Sequence, residues 1–209
     1  MKNIVIVGAG GFGREVFNHA EDCIRVGADW KIKGFIDDNL KALDNYDYPQ
    51  KVIGTIKEYI PEENDFFICA IGSPKTKKIV VGALLQRGAK FEKLIHPSVK
   101  IGRNVKIGKG VVLCPNVTLT CDISIGNYAM VNCTSGCGHD SVIGDYCTIS
   151  SYCDVTGFCK LGEGVFFASH VCMRPSSKVG DWARVGINSC VIMNIKAGIS
   201  AFGNPAVRI

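Results

Sequence analysis

Two stretches of this sequence carry residues fit for chemistry. In Ser135–Asp145, SGCGHDSVIGD, the imidazole of His139 stands beside the carboxylate of Asp140 among small residues. Histidine is the side chain whose ordinary pKa lies nearest neutrality, so this pair is a candidate for a general base that takes a proton from a nucleophile. A corner histidine bonded only to backbone is the plain alternative. Near the N-terminus, Gly8-Ala9-Gly10-Gly11-Phe12-Gly13 follows the apolar run Ile4–Val7. Glycines there let backbone N–H groups approach a diphosphate at a helix N-terminus. Asp37 or Asp38 ends the next apolar run, where a ribose-binding acid belongs. A full dinucleotide fold needs two βαβαβ halves, and the residues here suffice for about one. A nucleotide or nucleotide-sugar diphosphate is therefore favoured over NAD(P), with a purely structural tight turn as the remaining reading.

The elements that position these groups follow two different grammars. Every sixth residue from Ile101 to Ala197 is apolar, and the residues four further on, from Val105 to Ala201, are nearly all small or β-branched. Gly108, Gly126, Gly144, Gly162, Gly180 and Gly198 recur every 18 residues. Three hexads per coil describe a triangular parallel β-solenoid, with one large and one small inward residue per short strand. The glycines are expected at a corner, in positive φ. At about 4.8 Å per coil, nearly six coils make a prism roughly 25 to 30 Å tall.

The first hundred residues read instead as a small open α/β domain. Strands are expected at Ile4–Val7, Ile32–Ile36 and Phe66–Ile71, with one helix through Val16, Phe17 and Ala20 and another over Lys77–Gln86. The domains are placed at 1–94 and 95–209.

Composition narrows the class. With 47% hydrophobic and 21% charged residues, the chain is an ordinary globular protein. No apolar run suits a signal peptide or a membrane span, so a cytoplasmic protein without membrane contact is expected. A net charge of +5 without a basic run argues against nucleic acid and suits phosphorylated small molecules. The eleven cysteines form no CxxC pair, which gives a structural zinc site little support; most read as small apolar fillers, Cys147, Cys153 and Cys159 in inward positions. His139 and His170 are the only histidines in the repeat, too few for a three-histidine zinc site, and His170 reads as structural. Asp122 lies one coil below Asp140 and could share its environment. Lys160, Lys178 and Lys196 stack at 18-residue spacing beside Asp145, Glu163 and Asp181, either as a solvated edge or toward CoA phosphates.

In their order and separations, GAGGFGREV, GFIDD, AIGSP, IHPS, the repeat with GHDSVIGD, and GNPA resemble the hexapeptide-repeat sugar acetyltransferases related to the sialic acid O-acetyltransferase and the bacillosamine N-acetyltransferase. The resemblance spans essentially the whole chain. It implies a short Rossmann-like parallel sheet followed by a left-handed parallel β-helix, acetyl-CoA as co-substrate without a metal, and a homotrimer with sites between subunits. Carried over by motif, His139 is the catalytic histidine and Asp140 the carboxylate after it. Gly10, Gly11 and Phe12 face the diphosphate or sugar, although some members have a polar residue in place of Phe12. Asp37 and Asp38 hold base and ribose, and Gly72 and Ser73 line the same pocket. Thr148, Gly157, Ser169, Gly186 and Ile187 are implied along the CoA, with Thr148 standing where relatives often have a second histidine. The expected activity is N-acetylation of a UDP-, dTDP- or GDP-linked 4-amino-4,6-dideoxy sugar. Sugar O-acetylation is the alternative, and a non-catalytic β-solenoid assembly subunit is the alternative of another class. No residue distinguishes an amine from a hydroxyl acceptor.

Overall fold

The computed structural model describes residues 1–209. The chain opens with β1 (Lys2–Val7), α1 (Gly11–Arg25), β2 (Trp30–Ile36), β3 (Val52–Gly54), β4 (Asp65–Cys69), α2 (Pro74–Gln86) and β5 (Lys90–Phe91). These strands form one parallel sheet in the order β3-β2-β1-β4-β5. Ile4 and Ile6 of β1 pack with Val16, Phe17 and Ala20 of α1, while Val5 and Val7 pack with Leu84 of α2. A central strand covered on both faces needs a continuous apolar run, which is what Ile4–Val7 provides. Helix α2 starts at Pro74, earlier than the pattern from Lys77 indicates, because Ser73 caps it and a proline suits the first turn. No helix is long and apolar enough to cross a membrane.

From Leu94 to Val191, two-residue strands stack into three parallel sheets, the sides of a prism. Side one carries Leu94–Ile95, Val112–Leu113, Met130–Val131, Thr148–Ile149, Phe166–Phe167 and Arg184–Val185; side two carries Gly136–Cys137 and its equivalents; side three carries Val142–Ile143 and its equivalents. The repeat thus starts one strand before Ile101, since Leu94 and Ile95 pair with Val112 and Leu113. The large and small inward positions form one core, Leu119, Ile143, Val155 and Phe167 among them, with Cys147, Cys153 and Cys159 filling small positions.

Two expectations about the repeat need correction. Gly108, Gly126, Gly144, Gly162 and Gly180 do not adopt positive φ; every sixth residue from Asn104 to Asn188 does, whatever its type, including Tyr128, Asp140, Phe158 and Trp182. The glycine column exists for close approach. A Cβ at Gly144 would overlap the carbonyl of Gly162 in the next coil. The period also slips after Val191. Ile195 pairs with Val179, and Ser200 and Ala201 pair with Arg184 and Val185, so the last coil is two residues short. Ala197 therefore lies exposed instead of inward. Gly198 sits two residues later in the coil than the other glycines do, at the corner position that requires positive φ, and has φ 71.

The N-terminal domain is seated on side one. Residues Val16, Phe17, Ala20 and Cys23 of α1 share a core with Leu94, Val112, Cys114 and Met130 of the prism. On the other flank, Val81 of α2 and Cys69 pack on Tyr128.

Candidate active site

His139 stands on the edge between sides two and three. Asp140, the corner residue with φ 59, turns its carboxylate back so that Oδ2 lies 2.9 Å from Nδ1 of His139. Strand neighbours point to opposite faces, but the left-handed corner brings these two to one side. A carboxylate only accepts, so the Nδ1 atom carries the proton and Nε2 presents its lone pair. That is the tautomer a general base needs. Asp122 is not the partner: its Oδ1 accepts from Asn104 Nδ2 at 2.8 Å. The ring rests on Gly157, where a Cβ would come 2.7 Å from Nε2, and Phe158 meets it edge-on at 5.0 Å. Phe158 was not among the residues expected from sequence; the 18-residue period, which puts Gly157 above His139, would have pointed to its neighbour. Both His139 and Asp140 are open to solvent, at 53% and 45% of their side-chain surface.

The glycine loop sits at the C-terminal ends of β1 and β4, where the chain order reverses across the sheet, the crevice at which open α/β sheets bind ligands. Gly13 is required because a Cβ would collide with the Gly8 carbonyl, which draws α1 tightly onto β1. Gly10 is the N-cap of α1 and offers no side chain to the first turn. The free N–H groups there and the helix dipole favour an anion. Gly10 and Gly72 both border open space, and Gly11 is exposed. Phe12 is half-buried against the α1 core. Asp37 braces the loop, accepting from Ala9 N and Asn39 N at 2.8 Å each, while Asp38 is exposed. Ser73 spends its hydroxyl on capping, accepting from Thr76 N at 3.4 Å and from Thr76 Oγ1 at 3.1 Å. Sequence reasoning missed Arg14, whose guanidinium lies 3.5 Å over the Tyr46 ring, beside Gly11.

The residues expected along the CoA do not gather in one chain. Gly157 lies with His139, whereas Ser169, Gly186 and Ile187 lie on the edge between sides one and two. The space beside Gly186 is taken by the Phe202 ring, and both line a groove of about 270 Å³ with Phe166 and Arg184. Thr148 is a correction. It is 1% exposed on side one, and its hydroxyl accepts from Lys77 Nζ at 3.0 Å, so it serves the domain seam and is closed to a ligand. Lys77 also donates to the Cys147 carbonyl at 3.1 Å. Burial without an anionic partner lowers its pKa to about 8. The lysine column is also shorter than expected. Lys160 and Lys178 pair, but the shortened last coil puts Asn194, not Lys196, against Lys178. Glu163 pairs with Lys78 of α2, and Asp145 and Asp181 accept backbone N–H groups one coil below. His170 stacks on Tyr152 at 5.0 Å.

The inward thiols are closed. Cys147, Cys153 and Cys159 donate to the carbonyls of Gly162, Ala168 and Arg174, and burial pushes Cys147 up to about 12 and Cys153 to about 11.

Residues 3–84 match the PglD N-terminal domain family. Across 96% of this chain and 93% of its relative, the sequence is 28% identical to the GDP-perosamine N-acetyltransferase of Escherichia coli O157:H7. It is 29% identical over 108 residues to the UDP-N-acetylbacillosamine N-acetyltransferase of Bacillus subtilis (strain 168), a match spanning 50% of this chain and 47% of that protein. The acetyltransferase domain of PglB from Neisseria gonorrhoeae FA1090, solved in complex with acetyl coenzyme A, superposes with a TM-score of 0.87 at 22% identity, covering 100% of this chain and 99% of that one. The fold, a short parallel sheet followed by a left-handed β-helix, is shared along the full length. Residues 3–84 thus match the PglD N-terminal domain, and along its whole length the chain is similar to nucleotide-sugar N-acetyltransferases.

Proposed function

We propose that the protein transfers an acetyl group from acetyl-CoA to the amino group of a nucleotide-linked 4-amino-4,6-dideoxy sugar, with His139 as general base. The observation that carries the reading is the His139–Asp140 pair: Nδ1 is held by a carboxylate and Nε2 is free beside Gly157. Acetyl-CoA is the co-substrate of this family's acyl transfer, and the chemistry asks no metal of the site. In the reaction, Nε2 takes a proton from the acceptor amine as its nitrogen attacks the thioester carbonyl. Asp140 stabilises the imidazolium that forms. Collapse of the tetrahedral intermediate expels the CoA thiolate, which takes up the proton.

The glycine loop, with Gly10, Gly11 and Phe12, and the opposing Gly72 and Ser73 are assigned to the diphosphate and sugar, and Asp37 and Asp38 to the nucleoside end. Gly157, Ser169, Gly186 and Ile187 are assigned to the CoA. Their separation between two edges supports a homotrimer, in which an edge of one subunit closes the open His139 edge of the next.

Purified protein, acetyl-CoA and a panel of UDP-, dTDP- and GDP-linked 4-amino sugars test this, with thiol release as the signal. Turnover to a product whose acetyl group resists hydroxylamine is expected. A hydroxylamine-labile product would identify O-acetylation instead. Absence of turnover together with absence of acetyl-CoA binding by calorimetry would favour the non-catalytic subunit.

A further inference from the structure

The seam between α1 and the prism holds a second cluster of chemical groups, on a different edge from His139. His19 of α1 meets Cys114 and Cys133 of the edge between sides one and two, and one ligand atom from each lies within 4.8 Å of the others. Both thiols are free, Cys114 fully buried and Cys133 half-buried. His19 Nε2 is enclosed and has no hydrogen-bond partner. Such an atom forgoes about 1 to 3 kcal/mol, and a native fold seldom leaves it so.

The neighbouring polar groups do not satisfy it. His96 bonds Asp22 through Nε2 at 3.1 Å and faces Ser98 Oγ through Nδ1 at 2.7 Å, so those three residues serve one another. Glu15 lies one helical turn before His19 on α1, the spacing that puts two side chains on one face. That spacing sets the exposed Glu15 carboxylate on the helix face that meets Cys114 and Cys133, outside the 4.8 Å cluster, and it makes no ion pair with any lysine or arginine.

We propose that His19, Cys114 and Cys133 bind one zinc ion, with the fourth position turned toward the Glu15 carboxylate. Two thiolates, an imidazole and a carboxylate are a donor set zinc takes as a tetrahedron. With Zn–S near 2.3 Å and Zn–N near 2.0 Å, donor atoms of such a site stand roughly 3.5 to 3.8 Å apart. Starting from separations within 4.8 Å, the imidazole and the two thiols close by about 1.0 to 1.3 Å at most. Binding releases the protons of the two thiols, so it strengthens as pH rises. The ion is structural and takes no part in acyl transfer. It pins α1, whose first turn is the glycine loop, to the prism.

The test uses the full-length protein, reduced and stripped of metal with a chelator. Zinc is titrated in competition with a chromophoric chelator, and cobalt(II) serves as spectroscopic probe. The expected result is one equivalent of zinc, a cobalt spectrum with thiolate charge-transfer and intense tetrahedral bands, and a higher Tm with zinc. Cys133→Ser should weaken zinc binding by roughly 100-fold or more and Glu15→Gln by about 10-fold, by analogy with the loss of supporting groups at known sites. Cys133→Ser and Glu15→Gln change residues that are not fully buried, so they keep the test independent of the buried Cys114. Three results would overturn the proposal: reduced protein that takes up no zinc at micromolar concentration, unchanged binding by Cys133→Ser, or recovery of Cys114 and Cys133 as a disulfide from cells lysed into an alkylating agent.

Discussion

One repeat builds both the edge that carries His139 and the side that carries Thr148, yet the two have opposite surroundings. The His139 imidazole stands half in water, held by the residue next to it in the chain. Nine residues on, Thr148 is sealed beneath Lys77, a side chain 71 positions away. Both point outward from the prism. The repeat decides which side chains face in, and the docked domain decides which outward ones are covered. Open corners remain available for chemistry, whereas the covered side becomes a second core.

The sharpest break of that comparison is His139→Ala. We expect kcat to fall by roughly 10² to 10⁴, the usual contribution of a positioned base. Because the side chain is half exposed and packs only on Gly157 and Phe158, stability should change by no more than about 1.5 kcal/mol. Turnover by thiol release and a denaturant melt read the two effects separately, and near wild-type turnover would remove His139 from the mechanism.

The two kinds of glycine come next. Gly144→Ala sets a methyl group against the backbone of the next coil and should destabilise by roughly 3 kcal/mol or more. Gly198→Ala meets open space and bears only the left-handed backbone cost, about 1 to 2 kcal/mol. Equal losses in urea unfolding would show that the column serves conformation and not close approach.

Asp140→Asn removes one charge-assisted hydrogen bond, worth about 1.5 to 3 kcal/mol. If the bond acts in the transition state, kcat falls by roughly 10- to 100-fold. Asp122→Asn, which loosens only the contact to Asn104, should leave turnover unchanged; the reverse pattern would exchange their roles.

The smallest effect is a pH dependence at the covered side. Lys77 titrates at about 8 when folded against 10.5 for the free side chain, so the unfolded chain binds more protons between these values. Its contribution to stability therefore rises with pH across that window. Cys147 and Cys153 act oppositely. Raised to about 12 and about 11 from 9.0, they hold protons the unfolded chain loses, and stability falls as pH climbs above 9. The urea midpoint of Lys77→Met relative to wild type should fall steadily from pH 8 to 10, and both proteins should lose stability above pH 9 as the unfolded thiols ionise.

Particular residues show how far the sequence could be read. The strand Ile4–Val7, the helix through Phe17 and the inward positions from Ile107 to Val191 follow from periodicity and appear where expected. His139 and Asp140 could be paired on paper because they are neighbours, but the left-handed corner that makes the pair geometric belongs to the coil and not to either residue. Lys77 enters the sequence reading only as the expected start of a helix, and the seat of that helix on side one is what buries it. The slip after Val191 was hidden because Ala197 is apolar and Gly198 falls on the 18-residue column by coincidence.

By itself, then, the sequence determined what a periodic pattern can encode: a parallel solenoid with its inward residues, a glycine turn between strand and helix, and a histidine beside an acid. Each depends on residues near in sequence or one coil apart, where the spacing itself is the contact. Only the tertiary structure decided which outward residues the N-terminal domain covers, and that His19 meets Cys114 and Cys133. Those contacts join segments tens of residues apart through the docking of two domains. No spacing rule connects such segments, so composition and period carry no trace of the meeting.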